Sequence, residues 1–245
     1  MTENKNVILF AVSLGILAIS IGFLGVKVSD GLQNFRNYDR YVTMKGLAER
    51  DVKADLAVWP ISYAATGNDL SALQSSMEAQ GKTIISFLEE FGISQDEVEL
   101  QRVIVQDLMA QTYRQNNALN NRYVLTQSYL VRTNKIKKIN DASKNIGRLI
   151  KQGIVFSQNN AAGPNYLFTK LNELKPDMIA QATQNAKEGA AQFAKHSGQQ
   201  VGDIKYASQG VFQILSRDRT YAVPEAQQIN KRVRVVSTIQ FYLED

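Results

Sequence analysis

The side chains that most often carry out chemistry are scarce in this sequence, which has one histidine, His196, and no cysteine. Without cysteine the chain cannot form disulfides, thiolate zinc sites or a cysteine nucleophile. One histidine cannot build a multi-histidine metal site within a subunit, and a Ser-His-Asp triad would have to use it. His196 precedes Gly198 at the end of a predicted helix, where an imidazolium interacts favourably with the carbonyl end. We therefore interpret His196 as a surface or capping residue and expect no catalytic residue, no metal site and no enzyme activity.

A dense group of charges follows the first predicted strand: Glu49, Arg50, Asp51, Lys53 and Asp55. Two hypotheses account for it, an acid–base site and a solvated hairpin turn with local ion pairs. An acid–base site needs a companion nucleophile or histidine, and none accompanies these residues. The sequence therefore favours the solvated turn.

Two arginines near the end of the chain, Arg232 and Arg234, occupy alternate positions of a predicted strand and so share one face. They are candidates to line a pore or interface or to grip an anion, because guanidinium groups bind anions through paired hydrogen bonds. A solvated sheet face is the favoured alternative. Trp59, which precedes Pro60, is expected in the core or an interface rather than as a ligand platform.

The sequence gives no sign of a nucleotide cofactor or a nucleic-acid partner. Gly46, Gly163 and Gly210 belong to neither a G-x-G-x-x-G nor a G-x-x-x-x-G-K-[ST] motif. The net charge of +5 comes from 28 Lys and Arg against 23 Asp and Glu, interspersed along the chain. We therefore predict no cofactor and no nucleic-acid partner.

The first half of the chain predicts strands, a helix and a hairpin. Strands are expected over Tyr41–Gly46 and Val52–Ala65, with the charged turn between them, and a hairpin over Val98–Met109 and Arg122–Arg132. One face of the second hairpin arm alternates Tyr123, Leu125, Gln127, Tyr129 and Val131. The helix, which Gly92 ends, is predicted from the spacing of Leu70, Leu73, Met77, Ile84 and Leu88.

The second half repeats the order helix, glycine, strand. A second helix is marked by Ile136, Ile139, Ala142, Ile146 and Leu149 and stops near Gly153, before a strand over Ile154–Ser157. A third follows Pro176, and its stripe consists of Ile179, Ala182, Ala186, Ala190 and Phe193. Final strands are predicted over Ile204–Leu215 and Lys231–Leu243. The fold class is therefore α+β, with largely antiparallel sheets covered by about three amphipathic helices and a candidate subdomain boundary near residues 133–160.

A membrane segment precedes these elements. Residues 7–26 carry no charge, and a helix of that length, at about 1.5 Å per residue, spans a hydrocarbon core of about 30 Å. The exit from this segment places Lys27 where a signal-peptide cleavage site needs a small residue, which favours an uncleaved anchor. We therefore predict a transmembrane anchor over residues 1–28, a stalk over 29–40 and a folded domain over 41–245.

The predicted anchor carries a stripe of small residues at steps of four and three: Ala11, Gly15, Ala18, Gly22 and Gly25. Helices in lipid pack closely along such stripes, so this seam is a candidate site for anchors to associate. The alternative is an accidental pattern, because glycine and alanine are common in membrane helices.

Several stretches resemble the SIMPL-domain family of bacterial envelope proteins. They are Val42–Pro60, Lys175–Ala182 with Phe193-Ala194, Gln209–Phe212 and Lys231–Val236. The resemblance covers nearly all of residues 41–245, and the anchored form is similar to a membrane-anchored branch of the family. It implies an α+β fold and a periplasmic location. In a periplasmic immunogenic relative it also implies ring- or channel-like homo-oligomers, and some relatives are linked to oxidative stress.

The sequence and the resemblance together predict a non-enzymatic protein of the bacterial inner membrane, single-pass, with its C-terminal domain in the periplasm. The expected function is a homo-oligomeric structural, scaffold or channel-like assembly whose main partners are itself and the membrane, through residues 7–26. The alternative is a periplasmic binding or stress-response module for an envelope partner or an unidentified small ligand.

Overall fold

The structure is a computed structural model that describes residues 15, 20–25, 27–28, 40–110, 121–157, 163–218 and 223–244. Within these ranges the strands are β1 (Tyr41–Lys53), β2 (Leu56–Gly67), β3 (Val98–Asp107), β4 (Tyr123–Thr133), β5 (Val155–Phe156), β6 (Asn165–Leu167), β7 (Gln200–Gln209), β8 (Gln213–Ser216) and β9 (Asn230–Glu244). The helices are α1 (Leu70–Glu90), α2 (Ile136–Lys144), α3 (Gly147–Lys151) and α4 (Leu171–Ser197). The strands pair antiparallel in the β2–β4, β3–β4, β7–β9 and β8–β9 ladders, so the predicted α+β class with antiparallel sheets is confirmed.

Most of the predicted anchor and nearly all of the predicted stalk lie outside the described residues. Among the residues that are described, no helix combines the length and the apolar character needed to cross a membrane. Of the small-residue stripe, Ala11 and Ala18 are likewise outside the described ranges. A Cβ built on Gly15, Gly22 or Gly25 would meet no described atom within 4 Å. The anchor and its seam therefore stay predictions.

The chain divides into two compact units, each built from segments that are distant in sequence. Unit 1 comprises Met1–Ala48, Asp177–Phe212 and Val235–Asp245, and unit 2 comprises Glu49–Pro176 and Gln213–Arg234. The range 133–160, which the sequence suggested for a subdomain boundary, lies within unit 2.

Unit 1 joins α4 to parts of the strands β1, β9 and β7, which lie in that order in one sheet. The buried side of α4 is a row at four-residue steps: Met178, Ala182, Ala186, Ala190 and Ala194. Ala186 and Ala190 belong to a core cluster with Val42 of β1 and Phe241 of β9. Small side chains on this row let the helix backbone approach the strands closely.

Two expectations about α4 were wrong. The helix begins at Leu171 and contains Pro176, rather than starting after the proline. The predicted stripe leaves the buried row at both ends, because Met178 rather than the partly buried Ile179, and Ala194 rather than the half-exposed Phe193, takes the buried place. The contact follows the i, i+4 ridge of the helix, whereas the sequence pattern mixed steps of three and four.

Unit 2 contains a sheet in the order β3-β4-β2-β5, with β6 also paired to β2. The predicted hairpin β3–β4 is confirmed, and the alternation along β4 is confirmed by the burial of Leu125, Gln127, Tyr129 and Val131. Helix α1 covers this face, and Gly92 ends it with φ +79° as the sequence predicts. Leu70, which the sequence pattern assigns to the apolar face of this helix, is exposed. Trp59 is buried in the core of unit 2, which agrees with its expected place.

The predicted charged turn does not exist as a turn. Glu49, Arg50 and Asp51 continue β1, whose exposed and covered positions keep alternating through this stretch. Ala54-Asp55 instead separates β1 from β2, and the carboxylate of Asp55 accepts hydrogen bonds from the backbone N–H and the hydroxyl of Thr169. Charged residues need no turn when an alternating strand presents them to solvent.

Two predicted elements are each broken in two. The second helix breaks at Asn145-Ile146 into α2 and α3, and the strand expected over Ile204–Leu215 breaks into β7 and β8. The second break contains Gly210, whose N–H donates to the carbonyl of Val236 at 2.8 Å. A Cβ at Gly210 would lie 2.7 Å from that same oxygen, so the close approach of the two chain segments requires glycine.

Candidate functional site

The charged residues predicted as a turn and the two arginines of the predicted strand face each other in unit 2. Glu49 and Asp51 alternate along β1, and Arg232 and Arg234 alternate along its neighbour β9. Arg232 donates from Nε and Nη2 to the two carboxylate oxygens of Asp51, at 2.7 and 3.2 Å. Glu49 lies between the arginines, 3.7 Å from Arg232 Nη1 and 3.7 Å from Arg234 Nε. We call these four residues the charged ladder.

Electrostatics tie the charged ladder to a neighbouring ion pair. Arg217, just after β8, pairs with Asp218 at 2.7 Å. The hydrogen bond from Arg232 lowers the pKa of Asp51 below its usual range, and Arg217 lowers it further. The hydrogen bond to Asp51 in turn raises the pKa of Arg232. Three carboxylates therefore compensate three guanidinium groups, which favours the solvated, ion-paired sheet face over an anion-gripping site.

A buried lysine lies beside the charged ladder and was missed by the sequence analysis. The side chain of Lys231 is 1% exposed, and its Nζ donates to the backbone carbonyl of Glu225 at 2.9 Å and pairs with the Glu225 carboxylate. Its ammonium group thus fastens the short 3-10 turn Glu225–Gln227 to β9. The signal was available, because the period-two pattern of β9 places Lys231 on the same face as the buried Val233 and Val235.

Two tyrosines of the unit 2 core stack over a glycine of α1. The rings of Tyr63 and Tyr129 lie 6.0 Å apart and nearly parallel, and the Tyr63 hydroxyl donates to the carbonyl of Met77 at 3.1 Å. Burial, with the neighbouring Tyr129, raises the pKa of Tyr63 far above its usual range. A Cβ on Gly81 would lie 2.5 and 2.8 Å from the hydroxyls of Tyr129 and Tyr63. The pair is a closed packing arrangement with no room for a substrate.

A carboxylate at the start of β3 is held by several donors. Glu97 accepts from the N–H and hydroxyl of Ser94, both at 2.9 Å, from Thr133 at 2.6 Å and from Lys135 Nζ at 2.6 Å. Burial alone would raise the pKa of Glu97, but these donors outweigh it and lower the pKa to about 2. We call this arrangement the Glu97 clamp. The clamp fixes the start of β3 to the end of β4. It also stabilises the ionised Glu97 carboxylate too strongly for that group to exchange protons near neutral pH.

His196 and the surface cavities offer little chemistry. His196 is exposed in the last turn of α4, before Gly198 at φ +73°. Within the described ranges no three His, Asp or Glu side chains are grouped to hold a metal ion. A depression of about 280 Å³ at the end of α1 is lined by Glu89, Gly92, Ile93, Ser94 and Gln95 and is open to solvent.

In unit 2 the strand β3 exposes several large apolar side chains. Its side chains at Leu100, Val103 and Val105 stand opposite the buried Tyr129, Gln127 and Leu125 of β4 and so belong to the helix-covered face of the sheet.

Within the described ranges, however, the helices pack mainly on β2 and β4. Leu100, Val103 and Val105 are 58%, 40% and 52% exposed on this face, and Ile104, on the opposite face of β3, is 53% exposed. Within the described ranges β3 is thus an edge strand with a short exposed apolar stretch, which we call the β3 edge.

Comparison with protein families decides where this molecule belongs. The family model described as "SIMPL: Protein of unknown function (DUF541)" matches residues 42–241. The chain belongs to the SIMPL family. No curated protein matches the chain. This match confirms the family resemblance seen in the sequence. The matched residues include the charged ladder, Lys231, the Glu97 clamp and the β3 edge.

Proposed function

We propose that this SIMPL-family protein is a non-enzymatic, membrane-anchored envelope protein that works as a homo-oligomeric assembly in the periplasm. The observation that carries the proposal is the β3 edge, where Leu100, Val103, Ile104 and Val105 are exposed on an edge strand. Unpaired strand edges template pairing with another chain, and natural proteins usually blunt them with charges, prolines or bulges. An edge left apolar is a surface suited to a protein partner.

The energetics of the β3 edge favour burial. Each apolar side chain removed from water contributes about 25 cal/mol per Å² of buried area, and four large apolar side chains are exposed here within six positions. Backbone N–H and C=O groups along the free side of β3 would gain partners in the same step. Pairing with another protein strand satisfies both requirements at once.

The absence of enzyme activity is proposed from what the polar groups already do. Within the described ranges, the most strongly perturbed carboxylate, Glu97, is saturated by four hydrogen bonds, and the buried Lys231 is engaged by Glu225. A general acid, base or nucleophile needs a free position toward a substrate. These groups instead fasten one element to another.

The location rests on the apolar segment over residues 7–26 and on the family. An uncleaved helix there would hold the protein in the bacterial inner membrane, with residues beyond the stalk in the periplasm. Tethering all copies to one membrane raises their local concentration and so favours assembly.

The mass of the purified full chain tests the proposal. Multi-angle light scattering of the protein in detergent, corrected for bound detergent, should give a mass several times the 27.4 kDa of the chain. A mass near that of one chain, at concentrations up to the micromolar range, would overturn the assembly and favour the alternative of a binding or stress-response module.

A further inference from the structure

We propose that β3 pairs antiparallel with β3 of a second copy of this chain, across a two-fold axis that passes at Ile104. This inference rests on the self-association proposed above and names the surface that mediates one of its contacts. A two-fold contact of this kind is self-complementary, because each copy contributes the same patch.

The free side of β3 is geometrically ready for a further strand. β3 pairs with β4 along one side, and within the described ranges no strand pairs with the other side. Its register with β4 is interrupted once, between Leu100 and Val103, and is continuous from Val103 to Asp107. A continuous stretch keeps its outward N–H and C=O groups aligned, as a ladder requires.

The edge strand of the other sheet makes an informative contrast. β7 also carries exposed apolar side chains, including Ile204 and Tyr206, but its register with β9 shifts twice, on either side of Ile204. Bulges of this kind twist an edge away from an incoming strand. The chain therefore has an irregular β7 edge, whereas the β3 edge is regular from Val103 to Asp107.

Symmetry restricts the possible registers of a β3–β3 pair. Two identical antiparallel strands in one sheet are related by an axis perpendicular to that sheet, so each side chain stays on its own face and the axis must pass at a residue. Around the exposed apolar stretch, the axis can pass at Arg102, Val103, Ile104 or Val105.

Side-chain chemistry selects one of these four. An axis at Arg102 sets two guanidinium groups against each other, and an axis at Val103 sets each Ile104 opposite Arg102 of the other copy, an apolar side chain against a charge. An axis at Val105 sets each Val103 opposite Asp107 of the other copy. Opposed like charges are destabilising across strands, and an apolar side chain opposite a charged one loses the favourable apolar pair.

An axis at Ile104 creates none of these unfavourable pairs. Ile104 then stands opposite its own copy, and each Val103 stands opposite Val105. Arg102 stands opposite Gln106, so no charge faces a like charge or an apolar side chain. Branched side chains are the residues that pack best in such cross-strand pairs.

The cysteine-free chain allows a direct test by disulfide crosslinking of the full-length protein in detergent. In the Ile104→Cys variant the two introduced thiols meet at the axis, where paired Cα atoms lie about 4.5–5.5 Å apart, within disulfide range. Mild oxidation should convert most of the protein to a covalent dimer on non-reducing gels. The control is Gln106→Cys, which is exposed on the same face of the same strand. Its two copies would lie about 13 Å apart in this register and should remain monomeric.

A second pair of variants tests the contact without crosslinking. Ile104→Lys places two ammonium groups at the axis and should lower the light-scattering mass at least about two-fold. Ile204→Lys, at an isoleucine of nearly equal exposure on β7, should leave the mass unchanged. Far-UV circular dichroism, expected to match the unmodified protein because both side chains are exposed, establishes that the variants are folded.

The possible results separate this inference from the proposed function. If the unmodified protein is oligomeric, each of the following three results refutes the β3 contact but leaves the proposed assembly standing. Ile104→Cys fails to crosslink, Gln106→Cys crosslinks as well, or Ile104→Lys keeps the full mass. A lower light-scattering mass in both Ile104→Lys and Ile204→Lys also refutes the β3 contact. An unmodified protein of single-chain mass overturns the assembly itself, and the β3 contact with it.

Discussion

Replacing Gly46 by alanine should strongly destabilise unit 1, although it adds only one methyl group. Gly46 lies in β1 directly beneath α4, and a Cβ there would sit 1.7 Å from the carbonyl oxygen of Ala182 and 2.8 Å from the backbone N of Ala186. Both neighbours are backbone atoms, so no flexible side chain can move aside. Close approach of helix to strand, and not a special φ angle, is what requires glycine at this position.

The magnitude follows from that distance. A carbon and a carbonyl oxygen need a separation of at least about 3.2 Å, so α4 would have to move away by about 1.5 Å. The alanine row of the helix would then lose its contact with Val42 and Phe241. Overpacking in a filled core costs about 1–3 kcal/mol, and a backbone clash belongs at the upper end, so we expect unfolding of unit 1 to become easier by about 3 kcal/mol.

Gly189→Ala is the matched control in the same unit. Gly189 lies inside α4, and a Cβ there would lie 3.7 Å from Sδ of Met44, an ordinary contact. Because alanine is favoured over glycine inside a helix by about 1 kcal/mol, this variant should be slightly more stable than the unmodified chain. The two Gly→Ala changes should therefore differ in sign and by about 4 kcal/mol in total.

Hydrogen exchange measured by mass spectrometry on the full chain can assign the effect to unit 1. Peptides from α4 should exchange about 100-fold faster in Gly46→Ala if they open through unfolding of this unit, whereas peptides from β4 in unit 2 should change much less. The reasoning fails if Gly46→Ala leaves α4 protected, or if Gly189→Ala loosens the helix to the same degree.

Two further predictions concern the Glu97 clamp and the anchor. Because folding lowers the pKa of Glu97 from its ordinary value of 4.5 to about 2, its stabilisation is present above pH 4.5 and is lost as the pH falls toward 2. Glu97→Gln should thus lower the free energy of unfolding, measured by urea denaturation, by about 2 kcal/mol at pH 7 and by almost nothing near pH 2. Glu99→Gln, at an exposed position, should lower it little at either pH. A loss for Glu97→Gln that does not depend on pH would refute the clamp. Changing Gly15 and Gly22 together to leucine fills the predicted seam while keeping the segment apolar, so membrane insertion should persist and crosslinking between anchors should fall. An unchanged crosslinking yield would show that the stripe is accidental.

Local pattern was enough to find most of the helices and strands. The glycine stops at Gly92, Gly153 and Gly198 all adopt positive φ, as a residue just past a helix end does. Alternation along β4 identified its buried face correctly. Errors arose at interruptions, such as the breaks at Asn145-Ile146 and at Gly210, because a change of direction depends on what the neighbouring elements contact.

The site residues were recognised by type but not by partner. The sequence placed Arg232 and Arg234 on one strand face and noted the charges from Glu49 to Asp55, yet it treated the two groups as separate. Asp51 and Arg232 are 181 positions apart, and no spacing rule connects them. The exposure of β3 could not be predicted from the sequence either, because its pattern of apolar residues is the same as that of a strand with one buried face.

The sequence by itself determined the family, the α+β class and the faces of the long elements, since these depend on residues a few positions apart. Only the tertiary structure decided that β1 and β2, adjacent in sequence, belong to different sheets, and that unit 1 is assembled from three separate segments. It also decided that Lys231 is buried, that Gly46 admits no methyl group and that the described helices pack mainly on β2 and β4. The physical reason is that strand pairing and layer coverage are set by long-range packing, in which one local pattern is compatible with several neighbours.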